Sequence, residues 1–392
     1  MKIAFVSTYY HPAMVGGIEW YLYHVTRTLA KRGHEVSVLT TNGDGTGKNL
    51  PPRDEIDGVQ VTRLPTPVDI TYRLKIWPRL TRELTICGAD IVHVFDYAQF
   101  HNLAVNLSRS SSSWASVVAV YDIHSDIPRA RIRSRAMSLF DGFGAKAMLT
   151  GYDKILVRTP FQVEFTKRLG IPEEIIRIAP PGLDPLNFTD PTTAELTEAR
   201  EKYASGKDLL LLYVGRLHPI KGIDVLIKAT SRLSGHGVTA RTVIVGPDQS
   251  GYLNYLRELA VKEGVDDEVL FTGYLGERDK WILQSICDVA VLPSSFEGFG
   301  QTLIQAMARG KPVIGTNVGG MPWVLEDGKA GIMVPYGDPE ALADAIIELN
   351  SNEHLRDRIC AAGRARAEEF SYPKLVDGLE AIYADIDVSS TR

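Results

Sequence analysis

A chain of 392 residues with 44% hydrophobic and 23% charged content can build two domains with separate cores, and it is neither disordered nor membrane-embedded in composition. A formal net charge of -5 gives no broad cationic surface for a nucleic acid backbone, so nucleic acid is not an expected partner. Three widely spaced cysteines, Cys87, Cys287 and Cys360, have no metal-ligand spacing and fit a reducing compartment; without a signal-like or spanning apolar run, a cytoplasmic protein is expected.

Residues 2–7 read as a buried strand, followed by a loop through Pro12, Gly16 and Gly17. Ile18, Leu22, Val25 and Leu29 then recur at the spacing of one helical face, and residues 35–41 return as a strand, completing a β-loop-α-β unit. Further strands are expected at 90–95, 116–121 and 154–158, the alternation of a doubly wound parallel sheet. Proline and glycine concentrate at 179–185, and the polar stretch to Lys207 reads as a linker. A second alternation follows, with strands at 209–214, 242–245, 269–272, 289–292, 312–315 and 331–334 and helices at 224–233, 252–263 and 302–309. Asp338 before Pro339 reads as the cap and first turn of another helix. The expected division is 1–184, 185–370 and a C-terminal segment 371–392 that packs back on the first domain. Each domain is Rossmann-like, and open sheets of this kind bind ligands at the carboxyl ends of their strands.

Gly16-Gly17 lets backbone approach a phosphate ahead of the first helix, although it lacks the dinucleotide fingerprint. Arg216 and Lys221, in Gly215-Arg216-Leu217-His218-Pro219-Ile220-Lys221-Gly222, place two cations in a loop after a strand, suited to a diphosphate. The segment from Pro293 through Glu297-Gly298-Phe299-Gly300-Gln301-Thr302 is a strand, glycine-rich turn and helix in order. Its amides can face an anion while Glu297 accepts hydrogen bonds from sugar hydroxyls. With the helix starting near Gly298, Gln305 stands about two turns along, in reach of a ribose.

Together these motifs resemble the retaining GT-B glycosyltransferases of family four, over nearly the whole chain. The resemblance implies two Rossmann-like domains facing a cleft, the first serving the acceptor and the second the nucleotide-sugar donor. It implies that Arg216 and Lys221 meet the donor diphosphate, that Glu297 holds the donor sugar and that Gly273-Tyr274-Leu275 lies beside the base. His124, in Tyr121-Asp122-Ile123-His124-Ser125-Asp126, matches the family's cleft histidine, with Asp122 as the alternative register. His124, Glu297, Arg216 and Lys221 are thus the expected catalytic set. One departure stands out: the family has a second Glu where this chain has Gln305, and an amide offers one acceptor oxygen where a carboxylate offers two.

The implied reaction moves a hexose from a UDP- or GDP-linked donor to an acceptor hydroxyl, with retention and without a metal or other cofactor. Asp385-Ile386-Asp387 reads as solvated tail rather than a metal site. Lys75, Arg79 and Arg82 on one helical face, and Arg129, Arg131, Arg133 and Arg135, could attract an anionic membrane surface carrying a lipid-linked acceptor, although Pro78 interrupts the first pattern. Two alternatives stay open at this point: an NAD-dependent oxidoreductase and a non-catalytic nucleotide-sugar binder.

Overall fold

The computed structural model describes residues 1–13, 17–69, 75–97, 99, 101–109, 111–120, 146–204, 206–207, 209–248 and 251–386. The chain divides into two compact units, 1–182 with 372–392, and 183–371, so it passes from one unit to the other twice.

The first unit carries β1 (Lys2–Val6), β2 (Glu35–Thr41), β3 (Arg53–Ile56), β4 (Val59–Leu64), a short ribbon of β5 (Val68–Asp69) and β6 (Lys75–Ile76), then β7 (Ile91–Phe95), β8 (Ala115–Ala119), β9 (Lys154–Val157) and β10 (Ile176–Ile178). Its main sheet has the order β10-β9-β8-β7-β1-β2-β4-β3. Every neighbouring pair is parallel except the β3–β4 hairpin at the edge. Both faces are covered. Ile3 and Phe5 of β1 belong to one apolar cluster and Ala4 and Val6 to the other, because successive side chains of a strand point to opposite sides.

On the first face lies the helix Gly17–Lys31, with Leu22, Val25 and Leu29 fully buried, each contributing about 1.5–3 kcal/mol of hydrophobic stabilisation. The C-terminal helix Tyr372–Ala384 joins the same cluster through Tyr372, Leu375, Val376, Leu379, Ile382 and Tyr383. Polar contacts reinforce it: Arg32 pairs with Asp377 (2.7 Å) and Glu380 (2.6 Å), and the buried His93 Nδ1 lies 2.6 Å from the Tyr383 hydroxyl. The Asp385 carboxylate, expected as solvated tail, accepts from Lys154 and Arg177 at 3.0 Å each and so is tied to β9 and β10. Asp387 lies outside the described residues.

The second unit is a six-stranded parallel sheet of β11 (Leu209–Val214), β12 (Ala240–Val245), β13 (Val269–Gly273), β14 (Val289–Leu292), β15 (Val313–Thr316) and β16 (Ile332–Val334), in the order β13-β12-β11-β14-β15-β16. One continuous core runs through it. The stretch read as a polar linker contains a twelve-residue helix, Thr193–Ala204. Asp338 caps the helix Pro339–Ser351 by accepting from the Ala341 N–H (3.0 Å). No helix among the described residues is long and apolar enough to cross a membrane.

Candidate active site

In the second unit the chain runs outward from β11 through β12 to β13, then returns beside β11 as β14 and continues to β16. The loops after β11 and β14 therefore diverge at the point where an open parallel sheet leaves its crevice.

Loop 215–222 is fixed by its backbone. The Gly215 N–H donates to the Val245 carbonyl (2.9 Å) and the Leu217 N–H to the Pro247 carbonyl (3.0 Å). Tyr213 is buried and its hydroxyl donates to the Arg216 carbonyl (3.0 Å); burial first, and the charge of Glu297 second, push its pKa up and keep it a neutral donor. His218 Nδ1 accepts from the Ile220 N–H (3.2 Å), and burial followed by the charges of Arg216 and Lys221 holds its pKa below the ordinary value, leaving that nitrogen free to accept.

The loop ends at Gly222 with φ +64°, where an added Cβ would lie 1.9 Å from the Pro293 carbonyl oxygen. Only glycine lets the two loops touch there. Ser295 joins them a second time, its N–H and Oγ both donating to the Ile220 carbonyl (2.8 and 3.1 Å).

Across this junction Lys221 Nζ meets Glu297 Oε2 at 2.7 Å, with only 18% and 17% of the two side chains exposed. That degree of burial separates the pair from surface ion pairs, which contribute about 0–1 kcal/mol. Glu297 Oε1 accepts from the Gly300 N–H (3.2 Å). Burial works to raise the Glu297 pKa, but the Lys221 ammonium and the N–H groups of Gly300 and Phe299 outweigh it, and the net shift is downward. The carboxylate is held ionised.

Two glycines that the sequence reading passed over complete the junction. The Gly320 N–H donates to the Glu297 carbonyl (2.9 Å), and Gly319, at φ +57°, would place a Cβ 2.2 Å from that oxygen. Their signal was a Gly-Gly pair between β15 and the short helix Met321–Val324.

Several expected placements change. The helix begins at Gln301, not near Gly298, with Gly300 as its left-handed cap. The Gly300 amide is committed to Glu297, which leaves those of Gln301 and Thr302 at the helix start. The Phe299 ring is buried edge-on against Phe370 at 5.2 Å, so its N–H, not its side chain, serves the site. Gln305 lies four residues after Gln301, one turn along rather than two. Its Oε1 accepts from Nε2 of the buried Gln284 (3.0 Å), a residue the sequence reading did not single out. Gln284 Nε2 also faces the Thr302 carbonyl (3.5 Å), and a carbonyl can only accept, which fixes the orientation of both amides. The amide nitrogen of Gln305 is therefore its uncommitted end.

Arg216 is exposed. Gly273 closes β13, Tyr274 beyond it is 72% exposed, and Leu275 is half-buried against the core. Gly17 opens the first helix, while Gly16, Asp122, His124, Arg129, Arg131, Arg133 and Arg135 lie outside the described residues. Lys75 does not share a helical face with Arg79 and Arg82. It stands in β6, paired with Asp69 and 5.2 Å from the Tyr9 ring centre, and the helix Arg79–Ile86 starts only after Pro78.

The model for Glycosyl transferases group 1 matches residues 196–366, and that for Glycosyltransferase Family 4 matches residues 15–185. An uncharacterized glycosyltransferase of Methanocaldococcus jannaschii is 29% identical over 375 residues, 92% of this chain and 91% of that protein. The D-inositol 3-phosphate glycosyltransferase of Saccharomonospora viridis is 27% identical over 94% of this chain and 89% of its own. Among solved structures, Anabaena HepE in complex with UDP and glucose superposes with a TM-score of 0.76 at 18% identity, covering 98% of this chain and 100% of that one. Sucrose-phosphate synthase of Thermosynechococcus elongatus gives 0.74 at 21% identity, with 98% of each chain covered. The oxidoreductase and non-catalytic alternatives fall with these matches: the chain belongs to the group 1 glycosyltransferases of family four, nucleotide-sugar-dependent enzymes of the GT-B fold.

Proposed function

We propose that this enzyme transfers a hexose from a UDP- or GDP-linked donor to an acceptor hydroxyl with retained anomeric configuration. The observation that carries the reading is the buried Lys221–Glu297 pair at the point where the sheet reverses, with Arg216 exposed in the same loop. An arriving diphosphate competes for Lys221, and Arg216 adds a second cation. Glu297 then has an oxygen to offer the sugar hydroxyls, while the ring of Tyr274 lies open for the base. The UDP and glucose held by HepE support this arrangement.

In the proposed step the acceptor oxygen bonds to the anomeric carbon on the face that the diphosphate leaves. The bond from that carbon to the phosphate oxygen breaks with its electron pair, and the acceptor's proton passes to a donor phosphate oxygen. His124 would approach the donor sugar. If so, His124→Ala keeps donor binding and loses transfer, and the same pattern in Asp122→Ala instead would move the role there. The first unit serves the acceptor in this reading, and the unpaired Cys87, Cys287 and Cys360 agree with a reducing cytoplasmic setting.

The test is a thermal-shift screen of UDP-, GDP- and ADP-glucose, followed by transfer to sugar acceptors in chelator with the product anomer read by NMR. A donor that binds only the folded protein raises the midpoint by mass action. We expect a UDP- or GDP-sugar to do so and the product to retain configuration. Inverted product would overturn the mechanism, and loss of transfer in chelator restored by magnesium would overturn its metal independence.

A further inference from the structure

The carboxyl edge of the first unit's sheet holds a cavity of about 500 Å³, within the range of small-molecule sites. It lies where β2 and β4 end side by side, joined by the Asn42 N–H donating to the Leu64 carbonyl (3.0 Å). Asn42, Asn49, Thr66 and Arg79 line it, with proline walls that include Pro65 and Pro78.

Two of its polar side chains, Thr66 and Arg79, are uncommitted among the described residues. The Thr66 hydroxyl is buried and has no hydrogen-bond partner among the described residues, a costly state that turning it toward a ligand hydroxyl would relieve. Arg79 is exposed and forms no ion pair among the described residues. The neighbouring carboxylates are engaged elsewhere: Asp44 accepts from the Thr46 N–H (2.7 Å), the Lys48 N–H (3.0 Å) and the Thr46 hydroxyl (2.8 Å), and Asp69 is paired with Lys75. Among the described residues the lining thus carries one guanidinium and no carboxylate. Because loop 42–50 is closed on itself by the Asp44 contacts and by the Leu50 N–H on the Asn42 carbonyl (2.7 Å), the two asparagines are presented on fixed backbone.

We infer that this cavity binds an anionic sugar, a monosaccharide carrying a phosphate or carboxylate. Arg79 meets the anion, while Asn42, Asn49 and Thr66 meet hydroxyls. The proline rings face the sugar's apolar C–H surface. As an acceptor subsite it rests on the sugar-transfer reading, in which the first unit serves the acceptor.

Calorimetry in phosphate-free buffer, with glucose 6-phosphate, glucuronate, glucose and inorganic phosphate as separate titrants, tests it on wild type, Arg79→Gln and Thr66→Val. An anionic sugar should bind wild type more tightly than either glucose or inorganic phosphate, at least tenfold more weakly to Arg79→Gln and several-fold more weakly to Thr66→Val. No binding of either anionic sugar, affinity indifferent to both substitutions, or inorganic phosphate binding as tightly as the sugar phosphate would each overturn it. The thermal shift by UDP- and GDP-glucose, measured on the same preparations, reports on the donor reading separately. A donor shift without anionic-sugar binding removes this inference alone, and no donor shift removes the reading whatever the titrations show.

Discussion

Two strand-end junctions, one in each sheet, are built in opposite ways. In the second unit the loops after β11, β14 and β15 are stitched to one another, Gly222 against Pro293, Ser295 on Ile220, Gly320 on Glu297, around the Lys221–Glu297 ion pair. In the first, the ends of β2 and β4 are joined past their ladder by the Asn42–Leu64 contact and open a cavity whose Thr66 hydroxyl has no partner among the described residues. One edge is preorganised around charge and the other is left roomy. A group that must meet the same diphosphate in every turnover benefits from being fixed in advance, whereas room suits a ligand whose own hydroxyls supply the missing partners.

The sharpest way to break this contrast is Lys221→Ala. It removes a cation from the proposed donor site and leaves the Glu297 carboxylate buried without its charge partner, so turnover should fall by about 1.5–3 kcal/mol of lost interaction, roughly 10- to 150-fold. Arg216→Ala, at an exposed position, should lose less. Wild-type donor kinetics in Lys221→Ala would mean that the stitched edge is structural only.

Next in size is a pair of glycine substitutions read by urea unfolding. Gly222→Ala combines a positive φ, which costs about 1–3 kcal/mol, with a collision at 1.9 Å against backbone. At Gly58 in the first unit φ is +80° but an added Cβ meets only Ala30 Cβ at 3.8 Å, an ordinary contact, so Gly58→Ala should show the conformational part alone. Equal losses would deny the close approach of the two loops.

Acid separates the Glu297 pair from the first unit's ion pairs by salt dependence. The Glu297 pKa is lowered in the folded state, so its contribution is fully present above the ordinary value of 4.5 and is lost as pH falls below that through the folded value. Glu380 and Asp385 of the first unit shift the same way, but through more exposed pairs that salt screens. High salt should therefore flatten part of the acid loss and leave the Glu297 part, which Glu297→Gln should remove. An acid slope unchanged in Glu297→Gln would contradict the assignment.

The smallest effect is expected at Gln305. Because Gln284 holds its oxygen, Gln305→Glu keeps that bond and gains one free acceptor, so donor affinity should stay level or rise a few-fold. Gln305→Ala should weaken it and lose the discrimination between the donor and its 2′-deoxyribose analogue. Calorimetry that finds equal discrimination in wild type and Gln305→Ala places the residue outside the ribose site.

Strand positions were legible because a parallel strand buried on both faces is an apolar run, and residues 35–41, 209–214 and 289–292 coincide with β2, β11 and β14. Among the elements that sequence reading missed, a hairpin and a helix carried clear local signals. Asp57-Gly58 is a two-residue turn between β3 and β4, and Thr192 with Glu195 forms a reciprocal cap, the Thr192 N–H on the Glu195 carboxylate (2.9 Å) and the Glu195 N–H on the Thr192 hydroxyl (3.3 Å). The residue types of the candidate-site loops could be read, but their partnerships could not. Lys221 and Glu297 stand 76 positions apart, and Gln284 reaches Gln305 from another helix, so only the folded sheet brings them together.

The C-terminal helix has a consequence for how the chain is made. Seven buried residues of the first unit's core, from Tyr372 to Ile386, are the last of it to be synthesised, after the whole second unit. The half that is translated first is thus the half whose core is completed last. The second unit, continuous from 183 to 371, needs nothing downstream and can close while its predecessor still exposes the surface that Leu375, Val376 and Leu379 will cover. A nascent chain paused at that point presents a finished domain beside an unfinished one, an apolar surface for a chaperone to shield until the last helix arrives.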